Sequence, residues 1–250
     1  MDWVKSFYTA QNDWMGVYLT PLEARDQERV ALVHELVGAA PRRILELGAG
    51  GGQTAVALAL AGHAVSMVEL LAPSAQHARQ LAAAHGVDLE VHQADFYAVA
   101  LPQAFDLVLY WDSFGIGADA DQRRLLRRVA QEWLVEGGEA LIEVGTPWYW
   151  GGIADGQQVD LGDCWRRYTF DVAESRLLDR WWRKAKPEMV VHQSLRCYHP
   201  ADLRLLLEGT GLELQQVTPG GAIVYEPEPA WVKKVPLEEA MTYYAQMRRL

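Results

Sequence analysis

From Pro21 to Gly38 the apolar residues Leu22, Val30, Leu32, Val33, Leu36 and Val37 recur mainly at helical spacing, and Gly38 supplies a stop. The period then changes. Ile44, Leu45 and Leu47 form a short apolar run ending in glycines, as a strand buried on both faces does. The alternation continues down the chain: residues 54–62 predict a helix, 64–70 a strand, 72–86 a helix closed by Gly86, and 88–95 and 105–112 two further strands. Residues 119–138 then predict a helix with a glycine stop, and 139–145 a fifth strand. Such alternation calls for right-handed crossovers. The expected fold class is α/β: a doubly wound, mostly parallel, seven-stranded Rossmann-like sheet with helices on both faces. Ligands on such sheets sit at the carboxyl ends of the strands, so the residues that matter should follow Leu47, Val68, Gln93, Tyr110 and Val144.

After Gly145 the regularity stops. Residues 146–163 have no clean period, 164–184 predict two strands around a turn at Ala173–Ser175, and 188–198 predict another strand. A helix returns at 200–211, followed by a strand pair, 212–217 and 222–227, turned at Pro219–Gly221. The organisation expected is one domain over 1–250: an N-terminal helical cover (1–38), a cofactor-binding core (39–145), an inserted antiparallel lid (146–199), and a C-terminal helix and strand pair (200–250).

With 250 residues, half of them apolar, the chain can bury one core. Its net charge of −10 argues against nucleic acid or an anionic membrane as the main partner, since either needs a basic face. Cys164 and Cys197 share no ligand spacing and read as buried thiols. No His pair has metal-ligand spacing, so no metal is expected. The N-terminus lacks a charged region followed by an apolar core, and the longest apolar stretch, before His63, is far short of a membrane span. The chain reads as soluble and cytoplasmic, and a homodimer is compatible with it.

The sharpest local signal is Glu46-Leu47-Gly48-Ala49-Gly50-Gly51-Gly52 at a strand-to-helix turn. Glycines there let a ligand approach the main chain. A dinucleotide fingerprint wants a third glycine at position 53, where the chain has Gln53. Glu46, two residues before the first glycine, would repel a pyrophosphate and attract a ligand bearing an ammonium and a sulfonium. Both features disfavour the rival reading of a nicotinamide-dependent oxidoreductase. Glu69 ends the second strand, where a ribose-binding acid belongs. Asp95 ends the third and is followed by an aromatic face, Phe96. Three intact carboxylates at strand ends also disfavour a second rival, a non-catalytic binding protein on the same fold.

On Glu46–Gly52, Val65–Leu70, Ala94–Phe96, Phe105–Gly115 and Glu136–Val144 the chain resembles a class I S-adenosylmethionine-dependent methyltransferase, over residues 43 to 145. Glu69 stands where Asp is commoner in that family. The resemblance implies that Glu46 and the backbone of Gly48, Ala49 and Gly50 hold the methionine portion of S-adenosylmethionine. It implies further that Glu69 takes the ribose hydroxyls, Leu70 touches the adenine, and Asp95 with the Phe96 amide reads the adenine edge. Trp111, at the pocket mouth, joins this cofactor-binding set.

Residues 110–114, Tyr-Trp-Asp-Ser-Phe, follow the fourth strand and are expected to line the mouth where a methyl group passes. The N-terminal stretch with Phe7, Tyr8, Trp14 and Tyr18 resembles, more weakly, the lid of small-molecule methyltransferases acting on sugar or lincosamide amines, where tyrosines cover the cofactor and touch the acceptor. By that analogy Tyr8, Tyr18 and Phe114 join Asp112 as catalytic-side candidates. His34, His63 and His77 are expected to face solvent. His192 and His199 are minor candidates for a base, and the arginines from Arg166 to Arg183 read as solvated faces of a hairpin. Eight of the ten tryptophans (Trp3, Trp14, Trp111, Trp148, Trp150, Trp165, Trp181 and Trp182) fall on segments expected to close over the acceptor. A pocket roofed by indoles would suit a small apolar or cationic acceptor, methylated at O or N.

Overall fold

A computed structural model describes residues 2–102, 104–153, 158–224 and 230–250. The short apolar runs form strands β1 (Arg43–Leu47), β2 (Ala64–Glu69), β3 (Leu89–Gln93), β4 (Phe105–Tyr110) and β5 (Leu134–Gly145). Between and before them lie helices α1 (Asp2–Met15), α2 (Ala24–Val37), α3 (Gln53–Leu60), α4 (Ala72–His85) and α5 (Asp119–Arg128). After β5 come a short helix α6 (Pro147–Ile153), the lid strands β6 (Gln158–Asp160), β7 (Cys164–Asp171), β8 (Arg176–Arg183) and β9 (Lys186–Arg196), and helix α7 (Pro200–Leu207). The chain ends with β10 (Leu212–Pro219), β11 (Ala222–Val224), β12 (Ala230–Val232) and β13 (Thr242–Arg249).

The central sheet has seven strands in the order β3-β2-β1-β4-β5-β13-β10. Pairing from β3 to β5 is parallel, and β13 runs antiparallel to both its neighbours. The order reverses between β1 and β4, where Leu47 lies beside both Val68 and Tyr110. The glycine loop after Leu47 therefore opens at the switch point. Apolar residues from successive strand positions pack on opposite faces. Leu45, Leu47, Val108 and Tyr110 face the α5 and α7 side, while Ile44, Met67, Leu107 and Trp111 face α2 and α3. No helix among the described residues is long and apolar enough to cross a membrane.

Three expectations need correction. The helix predicted over 119–138 ends sooner: a π turn at Val129–Trp133 follows α5, and β5 has begun by Leu134. Phe105 pairs with Leu134 but Leu107 with Glu139, so Gly137–Gly138 sit in a bulge within the strand and do not stop a helix. The strand pair turned at Pro219–Gly221 does not form. β10 pairs with β13, and β11 with β12; residues 225–227 lie outside the described residues. In β13, Tyr243, Ala245 and Met247 are fully buried and the residues between them less so. Finally, α6 occupies a stretch read as aperiodic.

Candidate functional site

The loop from β1 to α3 is pressed against the chain entering α2. A Cβ added to Gly51 would lie 1.7 Å from the carbonyl oxygen of Tyr18, so only glycine permits this approach. Gln53, the residue that breaks the dinucleotide pattern, begins α3 and donates from Nε2 to the Tyr18 and Thr20 carbonyls at 3.3 and 3.0 Å. The glycine loop and the cover are thus one unit. His77 adds to it with Nδ1 2.9 Å from the Gly51 carbonyl.

The carboxylates at the strand ends differ in what they hold. Glu69 accepts from the Gly50 amide on Oε2 and from the Leu71 amide on Oε1, both at 2.8 Å. Burial pushes its pKa up to about 6, against the pull of those amides. Glu46 is 2% exposed, and its Oε2 has no hydrogen-bond partner. Burial, opposed by the Arg29 guanidinium, pushes it up to about 8. Asp95 is exposed and accepts the Tyr97 amide at 2.8 Å. Phe96, half-buried, meets the Tyr110 ring edge-on at 5.6 Å, and Leu70 is half-buried just past β2. The Ala49 amide donates to the Val68 carbonyl at 3.3 Å, and a Cβ on Gly48 would be 3.4 Å from the Tyr110 ring.

Two residues absent from the sequence reading belong here. Arg29 reaches from α2 over the Trp111 ring (5.2 Å to its centroid), pairs with Asp112 Oδ2 at 2.5 Å, and comes within 3.9 Å of Glu143. Glu143, near the end of β5, accepts the Asp112 amide at 3.2 Å and the Thr242 hydroxyl at 2.9 Å. Burial and the neighbouring Asp112 push it up to about 7. Asp112 takes a φ of +61°, which this set of contacts stabilises. Glu143 carried the same signal as Glu46 and Glu69, a carboxylate ending an apolar run; Arg29 carried none.

The cover supplies the tyrosines. Tyr8 on α1 places its hydroxyl 3.0 Å from Ser113 Oγ and 3.2 Å from Gln193 Oε1, while the Tyr18 hydroxyl donates to Gln11 Oε1. Their rings are 6.2 Å apart. Burial raises both phenols well above their ordinary range, so both stay protonated. Opposite them is the inner face of the lid. There Asp179, fully buried, accepts Arg166 Nε and Nη2 at 3.0 and 2.8 Å and Gln193 Nε2 at 3.1 Å. Arg166 lies over the rings of Tyr168 and Trp181, so it is no solvated arginine of a hairpin. Phe114 is 3% exposed and packs on Tyr110 and Tyr198, within the main core.

Other expectations fail for local reasons. His63 is buried, its Nδ1 accepting the Arg42 amide at 3.2 Å and its Nε2 lying 3.0 Å from that of His34. His192 is exposed across from Arg180, and exposed His199 stands against Trp148; neither joins the site. Of the expected indole roof, Trp3 and Trp181 both meet Phe7 edge-on, at 6.3 and 6.4 Å. Trp148 and Trp150 pack in a separate cluster with Tyr149 and Cys197, and Trp165 pairs with Trp182 on the lid's outer face. Among the described residues no group of three or more His, Cys, Asp or Glu could hold a metal ion.

Residues 44–138 match the family model described as a methyltransferase domain. No curated protein matches the chain significantly. The CcbJ methyltransferase from Streptomyces caelestis is 23% identical, with 91% of this chain and 90% of that one aligned and a TM-score of 0.70. The 1,6-didemethyltoxoflavin-N1-methyltransferase of Burkholderia thailandensis, solved with 1,6-didemethyltoxoflavin and S-adenosylhomocysteine, is 18% identical over 99% and 85% of the two chains, with a TM-score of 0.59. The sugar N-methyltransferase KedS8 from Streptoalloteichus is 19% identical over 97% and 93%, also at 0.59. These likenesses extend the fold beyond the matched segment. The chain matches a methyltransferase domain over residues 44–138 and has the fold of the class I S-adenosylmethionine-dependent methyltransferases.

Proposed function

We propose that the chain is a methyltransferase that uses S-adenosylmethionine and methylates an O or N atom of a small molecule. The observation that carries this is the unpartnered oxygen of Glu46, a carboxylate buried beside the glycine loop with room in its valence for an ammonium. When bound, that cofactor supplies a methyl group on a sulfonium, activated for in-line displacement. Glu46 and the backbone of Gly48, Ala49 and Gly50 would hold its methionine end, Glu69 its ribose hydroxyls, and Leu70, Asp95 and Phe96 its adenine. Trp111 is buried under the Arg29 guanidinium. Two of the neighbours named above are methyltransferases of a small molecule, one of 1,6-didemethyltoxoflavin and one of a sugar, which supports the same class of acceptor here.

The chain's own residues would then align the acceptor and exclude water, and orientation of this kind is worth roughly 7–11 kcal/mol in intramolecular models. Tyr8 and Tyr18 are the acceptor-side contacts in this reading. Asp112, tied to Arg29, positions the strand end rather than taking a proton, and Phe114 stiffens the wall beneath it. An amine arriving neutral needs no base.

Two measurements follow. Calorimetry should give micromolar binding of S-adenosylhomocysteine and no response to NAD; the opposite pattern would sink the proposal. Binding should also release a proton near neutral pH. Glu46 moves from an ordinary 4.5 to about 8 in the free protein, so at pH 7 it is mostly protonated, and an arriving ammonium favours the ionised form. Affinity therefore rises with pH up to about 8. Calorimetry in buffers of different ionisation enthalpy should detect the released proton in the native chain and lose it in Glu46→Gln. The ligand's own amine titrates alike in both proteins, so equal release from the two would refute the role of Glu46.

A further inference from the structure

Inside the lid, hydrogen bonds run in one direction. Asp179 is fully buried and held by Arg166 through two bonds, and a carboxylate so placed only accepts. The Gln193 side chain must therefore turn its amide nitrogen to Asp179, at 3.1 Å. That fixes its other end: Gln193 Oε1 faces the Tyr8 hydroxyl at 3.2 Å and cannot donate, so Tyr8 does. With the phenol proton spent on Gln193, the 3.0 Å contact between Tyr8 and Ser113 is a bond only if the serine donates. The chain of donors is Ser113 to Tyr8 to Gln193 to Asp179, with Arg166 anchoring the end. A phenol oxygen has one proton and two lone pairs. Tyr8 has spent the proton and one lone pair, and has one lone pair left.

We infer that Gln193, locked by the Arg166–Asp179 pair, is a specificity-setting residue that makes Tyr8 a hydrogen-bond acceptor toward the substrate, selecting a molecule whose reacting group carries N–H or O–H. The inference rests on the proposed reading of Tyr8 as an acceptor-side contact, and it adds the polarity of that contact and the residue that fixes it. Tyr18 repeats the pattern 6.2 Å away, giving its own proton to Gln11 Oε1. The ionised surroundings agree: Asp112, Asp179 and Glu69 all act on Tyr8 to keep its proton in place. A substrate offering only a carbonyl or ether oxygen would meet lone pairs on both tyrosines.

The test needs no knowledge of the natural substrate. Protein loaded with S-adenosylhomocysteine is screened by ligand-observed NMR against small amines and alcohols, each matched to a ketone or ether of the same shape. Donor-bearing compounds should bind about tenfold tighter than their matches, the range expected when a polar contact is lost. The bias should fall several-fold in Gln193→Met, where Tyr8 is free to turn its proton outward, and in Tyr8→Phe, where the oxygen is gone and only the Tyr18 lone pair remains. Melting curves establish that each variant is folded, and Tyr8→Phe decides the matter should Gln193→Met not fold. An unbiased or empty hit list for the native chain overturns the inference, as does a bias left undiminished by either substitution. Failure to bind S-adenosylhomocysteine at all would strike the underlying methyltransferase reading instead, before any probe is added.

Discussion

Replacing Glu69 with alanine should weaken S-adenosylhomocysteine binding by more than tenfold while leaving a folded protein. Each oxygen of this carboxylate already takes one backbone amide at 2.8 Å, from Gly50 and from Leu71. Each retains a lone pair for a ribose hydroxyl. Hydrogen bonds to charged groups are worth about 1.5–3 kcal/mol, and about 1.4 kcal/mol is a factor of ten in affinity. Loss of even one ribose contact therefore reaches tenfold, and loss of both approaches a hundredfold or more. The substitution also frees the Gly50 amide, so part of the effect is a looser glycine loop. Glu69→Gln separates the two contributions. It keeps the volume but offers one acceptor oxygen where two amides converge, so it should bind almost as poorly as the alanine variant. Calorimetry measures the affinities, and a melting curve without ligand reports what the fold itself has lost. An unaltered dissociation constant would mean that the ribose does not sit at the end of β2.

How far such a site can be read from sequence depends on whether its residues announce themselves locally. Glu46 and Glu69 do, because each lies at the end of an apolar run that reads as a buried strand, and fold theory places ligands at those ends; Asp95 follows the edge strand β3, none of whose residues is buried, and is marked by its place in the strand–helix alternation instead. The lid residues do not. β8 reads Arg-Leu-Leu-Asp-Arg-Trp-Trp-Arg, so each of its two faces presents one Leu and one Trp. Alternation alone cannot say which face turns inward. The face with Asp179 is the buried one, because Arg166 and Gln193 on the neighbouring strands neutralise and cap it, a fact of cross-strand register. The misplacement of the last strand has a similar origin. Tyr243, Ala245 and Met247 are separated by Tyr244 and Gln246, too little contrast to mark a strand, and the partner of β10 is decided by the open edge of β5. Tryptophans misled in the opposite way. Their concentration in 146–199 is visible, yet Trp148 and Trp150 pack in a separate cluster and Trp165 pairs with Trp182 on the lid's outer face, packing that a small antiparallel sheet needs before it can cover anything.

Placing a methyl group on Gly51 should undo the cover. The added Cβ would meet the Tyr18 carbonyl oxygen at 1.7 Å and its carbon at 2.8 Å, both main-chain atoms that no rotamer change can move. The segment is held there by Gln53 Nε2, which also binds the Thr20 hydroxyl at 3.1 Å, so relief requires residues 18–20 to lift together and that clamp to break. Overpacking of this kind costs about 1–3 kcal/mol, and here the strain falls on the connection between α1 and α2 rather than on the sheet. Gly51→Ala should therefore keep its central sheet, lose hydrogen-exchange protection at Leu19, whose amide binds the Gly16 carbonyl, and bind S-adenosylhomocysteine at least tenfold more weakly. Gly62→Ala is the matched control. Gly62 has a φ of +93° but nothing within 4 Å of an added Cβ, so that variant bears backbone strain without a clash. Its global stability should fall while exchange at Leu19 and ligand affinity stay as in the native chain. If the two variants behave alike, the loop and the cover are not the single unit that the Gly51–Tyr18 contact makes them. If only Gly51→Ala opens, the glycine run has a second duty beyond admitting a ligand: it is the seat on which the tyrosine cover rests.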